Sequence, residues 1–316
     1  MADPVSASES TSFTITIDDT SPSLSYQPVL DPSLGLSAGW IPSPGVSASS
    51  SDSQSGQAGS LHATEVDGAS LSLSWNGTGV SLFGEFLPVD DDGTATYSIA
   101  LDGTPTTNFA FSNDSPVISD NVLATFSNLS YGEHTVELTL HNPNSVFDGT
   151  VLLQVDRVVV IGEVPPQSFA SGTSLSNSSL VVTTQTVPDD AISFQGQWSF
   201  QPDLTPGQSF HTSTNVGDRA LLTFNGTAIT ISGLATTSSG SYNVSLDGEV
   251  PQTLSALSQY NTSTEIFFRT GLDPSVMHHL SVVNAGPSAI DSDSVGSFLA
   301  LGSVNVTTVE SNGVSP

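Results

Sequence analysis

Cysteine is missing altogether from the 316 residues, so disulfides, thiolate metal sites and cysteine nucleophiles are excluded. Basic residues are nearly missing too. Only Arg157, Arg219 and Arg269 stand against 31 acids, for a formal net charge of -28 and an isoelectric point near 4.1. A chain so short of Lys and Arg cannot neutralise phosphates, which excludes nucleic acid as a partner. Anionic membranes and anionic polysaccharides are disfavoured for the same reason, leaving neutral partners or cations. No window holds the roughly twenty apolar residues of a membrane helix, so no membrane insertion is expected. Helical periodicity is also lacking. Several catalytic patterns are absent: no Gly-x-Ser-x-Gly elbow, no phosphate-binding glycine loop, and no His-x-His or His-x-x-x-His pair among six histidines.

What is present is a sequence written twice. Tyr97-Ser-Ile-Ala-Leu-Asp-Gly103 returns as Tyr242-Asn-Val-Ser-Leu-Asp-Gly248, each an alternating strand running into an Asp-Gly turn. Upstream, Trp75-Asn-Gly-Thr-Gly-Val80 is matched by Phe224-Asn-Gly-Thr-Ala-Ile229. Asn225 lies 149 residues after Asn76 and Asp247 lies 145 after Asp102, a nearly constant offset that marks a duplicated unit.

Short alternating segments separated by Gly, Asn, Ser and Pro turns predict an all-β chain of two antiparallel β-sandwiches. The first is expected over residues 1–164 and the second over 180–310. A Pro- and Ser-rich linker is expected at 165–179. Residues 47–59 read as a polar insertion, and Asp90-Asp91-Asp92-Gly93 as an acidic turn. In the second half, Asp189-Asp190 answers Asp18-Asp19, Trp198 answers Trp40, and His211 answers His62. Asn-x-Ser/Thr sequons begin at Asn76, Asn113, Asn128, Asn177, Asn225, Asn243, Asn261 and Asn305, favouring a secreted glycoprotein. Met1-Ala-Asp-Pro has neither a basic start nor an apolar run, so no signal peptide is expected and Met1 reads as added to a mature start.

Two kinds of side chain, aromatic rings and carboxylates, are candidates for function. Trp40 and Trp198 sit in loop-like surroundings where an indole could stack on the apolar face of a sugar ring, with Tyr26 a weaker partner. Trp75 alternates with Leu71 and Leu73 and reads as core. Among carboxylates, Glu85 lies in an apolar run and is expected to be buried, with its acidity weakened towards a general acid. Asp156, or Asp102, would complete the carboxylate pair of a glycoside hydrolase.

The order of acidic pair, tryptophan, histidine step, Asn-Gly-Thr, Leu-Asp-Gly and terminal Val155-Asp-Arg-Val-Val-Val160 resembles a known group. It is similar to the tandem galactose-binding-like ectodomains of basidiomycete fungi, jelly rolls of the carbohydrate-binding-module type, from about Phe13 to Val306. The resemblance implies two jelly rolls, a secreted or cell-surface setting, and a neutral polysaccharide as partner, such as one of the fungal cell wall. It also implies a structural calcium ion, whose acids would fall on Asp18, Asp19 and Asp156. Gly302 stands where Asp156 aligns in the second copy. Glycan binding is the leading expectation, with a glycan-active enzyme and a self-assembling adhesive ectodomain as alternatives.

Overall fold

The computed structural model describes residues 12–28, 39–44, 60–87, 95–106, 121–143, 152–164, 180–205, 207–287 and 296–311. The expected linker at 165–179, the polar insertion at 47–59 and the acidic turn at 90–93 lie outside them.

The first half contributes β1 (Ser12–Asp18), β2 (Ser25–Gln27), β3 (Ile41–Pro44), β4 (Ser60–Thr64), β5 (Ser70–Gly77) and β6 (Gly79–Phe86). Then come β7 (Thr96–Leu101), β8 (Thr104–Pro105), β9 (Val122–Phe126), β10 (Gly132–His141) and β11 (Leu153–Glu163). The second half contributes β12 (Leu180–Thr186), β13 (Ser193–Gln195), β14 (Ser199–Thr205), β15 (Gln208–Ser213), β16 (Arg219–Phe224) and β17 (Ala228–Ala235). It ends with β18 (Ser241–Leu246), β19 (Gln252–Ser255), β20 (Thr262–Thr270), β21 (His278–Gly286) and β22 (Leu299–Ser311).

Each half is an antiparallel sandwich of jelly-roll type. One sheet runs β3-β4-β11-β6-β9, with β1 also on β11, and the other runs β2-β5-β10-β7-β8. The second half repeats both orders eleven strands later: β14-β15-β22-β17-β20 with β12 on β22, and β13-β16-β21-β18-β19. Period-two alternation builds the cores. In β5, Leu71, Leu73 and Trp75 are buried while Ser72 and Ser74 face outward. They meet Val80, Leu82, Val158 and Val160 from the facing sheet in one cluster.

The repeated motif that marks the duplication has a mechanical role. Tyr97 and Tyr242 are buried, and their hydroxyls donate across the sandwich to the carbonyls of Leu123 (3.0 Å) and Ile266 (2.5 Å). Asp102 and Asp247 take positive φ of 52° and 53°, followed by Gly103 and Gly248 at 71° and 75°. That left-handed pair is the geometry of a tight hairpin. Each Asp also clasps the neighbouring strand. Asp102 Oδ1 accepts from the Thr135 amide and Oδ2 bonds His134 Nδ1 at 2.8 Å; Asp247 does the same with the His279 amide and with His278 at 2.7 Å. His278 is buried and His279 exposed, on opposite faces of β21 as strand geometry requires.

Candidate functional site

Strand register aligns the two copies residue by residue. His62 faces Val155, and His211 faces Leu301. Asp156 is therefore matched by Gly302. Asp19 is matched by Asp189, since each contacts the equivalent histidine. Pro188 then stands opposite Asp18, so the two acidic pairs are offset by one position.

This alignment brings together the same ring cluster in both halves. In the first, Tyr26 stacks on His62 at 4.3 Å between ring centres and tilts against Trp40 at 5.2 Å. In the second, Phe194 stacks on His211 at 4.1 Å and tilts against Trp198 at 5.1 Å. Sequence order predicts the tryptophan and histidine of this cluster and names Tyr26 of β2 as a weaker partner of Trp40. It misses the matching ring, Phe194 of β13.

The copies differ in what covers them. Trp40 is only 1% exposed and belongs to the first core. The expectation that Trp40 is a ligand platform is thus corrected: its indole is packed, with Nε1 lacking a hydrogen-bond partner among the described residues. Tyr26 is half-buried and its hydroxyl donates to the Asp19 carbonyl at 2.9 Å, so it is held as part of the packing. Trp198 is half-buried against the second core, with Nε1 donating to the Gln195 carbonyl at 3.2 Å. Beside it Phe200 is 52% exposed, its ring 5.1 Å from His211. The Asp189 side chain, 3.4 Å from His211, is 65% exposed, whereas its counterpart Asp19 is 0% exposed. Gln195, Gln197 and Gln201 are exposed or half-buried around these rings. The second copy therefore presents rings, amides and one carboxylate to solvent.

The first copy is closed by the second domain. Glu265 of β20 lies over it: Glu265 Oε2 accepts from the Asp18 amide at 3.4 Å, and its carbonyl accepts from Ser21 Oγ at 2.5 Å. Beneath, Ser60 Oγ bonds Asp19 Oδ1 at 2.5 Å and Asp18 Oδ1 at 3.3 Å, and Asp19 Oδ2 meets His62 Nδ1 at 2.7 Å. Burial, reinforced by the neighbouring Asp19, raises the Asp18 carboxyl to about 7; burial likewise raises Asp19 to about 7. Burial lowers His62 to about 3 and pushes Glu265 up as well. His62 Nδ1 and Asp19 Oδ2 lie at ion-pair distance, yet burial disfavours the charged form of both, raising the acid and lowering the imidazole.

The calcium set expected from the resemblance does not fit this arrangement. Asp156 grips Arg157 with its carboxylate and gives only its carbonyl towards the acids, to the Asp19 amide at 3.0 Å. Asp18 Oδ1 is taken by Thr20, and both oxygens of Asp19 are engaged by Ser60 and His62. No group of three or more His, Asp or Glu set to hold a metal ion occurs among the described residues. Glu85 is corrected as well. It points outward from β6, exposed and opposite Gln154, so the expected burial is absent. Asp156, at a bulge of β11 and bound to Arg157, does not supply a free second carboxylate.

No protein-family model and no curated protein matches this chain. Several solved structures are similar to it. The tandem CBM22-1–CBM22-2 domain of Paenibacillus barcinonensis Xyn10C pairs over 98% of this chain and 99% of that one, at 8% identity and a TM-score of 0.27. The tandem CBM51 modules of Streptococcus pneumoniae Sp3GH98 pair over 78% and 84%, at 13% identity and 0.25. A family two carbohydrate esterase from Cellvibrio japonicus is matched at 15% identity and 0.30 over 42% of this chain, which spans 35% of that one. At such scores these likenesses add no support for any ligand. Among the described residues no helix is long and apolar enough to cross a membrane.

Proposed function

We propose that this chain is an extracellular glycan-binding protein whose recognition surface is the open ring cluster of the second domain. One observation carries the reading: a cluster built alike in both copies is sealed in the first and left exposed in the second, with Phe200 half out in water. A sugar presents an apolar face to an aromatic ring and hydroxyls to surrounding amides, and Trp198, Phe200, Gln195 and Gln201 offer both. The acidity of the chain favours a neutral ligand, with a cell-wall β-glucan the first to try. Binding is favoured over hydrolysis because the buried Asp18 and Asp19 lie beneath Glu265 and Asp156 is held by Arg157.

Calorimetry against soluble β-glucan, chitin oligomers and mannan tests this. The intact chain is expected to bind one of them, and Trp198→Ala with Phe200→Ala to weaken that binding at least tenfold, about 1.4 kcal/mol. Absence of binding across the panel, or full affinity in the double variant, would overturn it. A second reading is favoured by the position of Phe200 and the exposed Leu204 on β14, an edge strand: pairing of two copies along that edge. Light scattering showing a monomer at all concentrations removes it.

A further inference from the structure

The two sandwiches do not meet flush. At one end of their junction Ser21 bonds the Glu265 carbonyl. At the other end the Asn76 amide donates to Thr270 Oγ1 at 3.0 Å, and Tyr131 reaches the Gly271 carbonyl at 3.4 Å. The five residue steps of β20 from Glu265 to Thr270 span roughly 17 Å at strand rise. Alongside them runs a groove with a volume of about 240 Å³.

Its walls follow from the alternation of β5. Because Leu71, Leu73 and Trp75 turn inward, Ser72 and Ser74 turn outward, and with Ser25 they line one side. Gln252, Arg269 and Thr270 line the other. Trp75, Phe267 and Phe268 also lie along it, each almost wholly buried. Trp75 Nε1 is a buried donor with no hydrogen-bond partner among the described residues. The groove's charges are one acid, Glu133, and one base, Arg269, which also bonds Glu249 at 3.2 Å. In a chain carrying 31 acids and three bases, that balance is local and unusual. Rows of hydroxyls and amides, without excess charge, suit a ligand that is itself rich in hydroxyls and uncharged.

We infer that this groove is a second glycan seat, separate from the ring cluster and sized for a di- or trisaccharide. The class of ligand rests on the glycan-binding reading above, while the position rests on the groove alone. The three tryptophans allow both to be tested together, because each reports a different place: Trp198 the ring cluster, Trp75 the groove, Trp40 the sealed core. The full chain, made in bacteria so that Asn76 is unmodified and labelled with ¹⁵N, is titrated with laminaritriose, cellotriose, chitotriose and mannotriose.

At least one sugar is expected to move the Trp75 indole N–H resonance and leave that of Trp40 in place. The Trp75 response should survive Trp198→Ala with Phe200→Ala. It should weaken at least tenfold in Ser72→Phe, which fills the groove from an outward position, and several-fold in Gln252→Ala, which leaves the strands intact. A Trp198 response without one from Trp75 overturns the groove and leaves the first reading standing. A Trp75 response alone sustains the groove and overturns the ring cluster. No response from either sinks both.

Discussion

Raising the pH from about 4 to about 6.5 is expected to destabilise this chain, and the buried cluster under Glu265 sets the amount. Asp18 and Asp19 each titrate near 7 when folded, against 3.8 when free. Between those values the folded chain keeps two protons that the unfolded chain has released. His62 works the other way. Its folded value is near 3 against 6.5 when free, so the unfolded chain holds one proton there that the folded chain lacks. The folded state thus binds one more proton net, and stability falls by about 1.4 kcal/mol per pH unit, roughly 3 kcal/mol across the window. Below about 4 the contribution is fully present. The slope holds through about 6.5, where the unfolded histidine and the folded acids give up protons together, and it ends once the two acids have ionised above 7. The groups facing the pair are Ser60 and His62 from β4, Arg157 and Asp156 from β11, Glu265 from β20, and Tyr26 and Tyr260. Glu265, also raised, adds in the same direction. So does general repulsion in a chain this acidic. Asp18→Asn separates the cluster from that background. It removes one folded-state proton, so the slope between 4 and 6.5 should flatten by about 1.4 kcal/mol per unit. Urea unfolding at four pH values checks this. A wild-type chain that gains stability over the window, or an unchanged slope in the Asp18→Asn chain, refutes the reasoning.

Three further outcomes follow from the asymmetry between the copies. Trp40→Ala empties a packed core site and should cost about 3–5 kcal/mol, while Trp198→Ala should cost well under half that, by the same urea assay. Tyr242→Phe deletes the hydroxyl bonded to the Ile266 carbonyl and strands that buried acceptor, for a loss of about 1–2 kcal/mol; Tyr97→Phe should lose a similar amount. Gly248→Val forces a β-branched residue into left-handed backbone and should destabilise by about 1–2 kcal/mol, leaving glycan binding by the folded chain unchanged.

Much of the scaffold was legible because it depends on local chemistry. Asp-Gly fixes a hairpin wherever it occurs, and Leu71-Ser-Leu-Ser-Trp75 states which face of β5 is buried. Glu85 was misread for an instructive reason. Its neighbours make an apolar run, but a strand counts by twos, and Val80, Leu82 and Phe86 take the inner face and leave Glu85 outside. The fates of Trp40 and Trp198 were not legible at all. Both stand beside a stacked ring and a histidine, and both look alike in sequence; what differs is how each cluster is covered. The acids behave similarly. Asp18 and Asp19 announce an acidic turn, yet their shifts come from burial and from a docking partner, Glu265, more than 240 positions away. Phe200 carried a weak signal, an aromatic two residues past Trp198 on a strand that also holds Ser199, Gln201 and Asp203.

The junction also separates two asparagines that the duplication wrote identically. Asn225 is exposed, its amide donating to the Val276 carbonyl at 2.8 Å. Asn76 is pinned: its backbone is bonded to Thr270, and a methyl group placed on Gly271 would lie 2.5 Å from its Cβ. In the finished molecule Asn225 faces solvent, whereas Asn76 faces the second sandwich. If this chain passes through a glycosylating compartment, the occupancy of Asn76 relative to Asn225 becomes a clock. A ratio near one says that sugar was attached before the halves closed, and a ratio near zero says that they closed first.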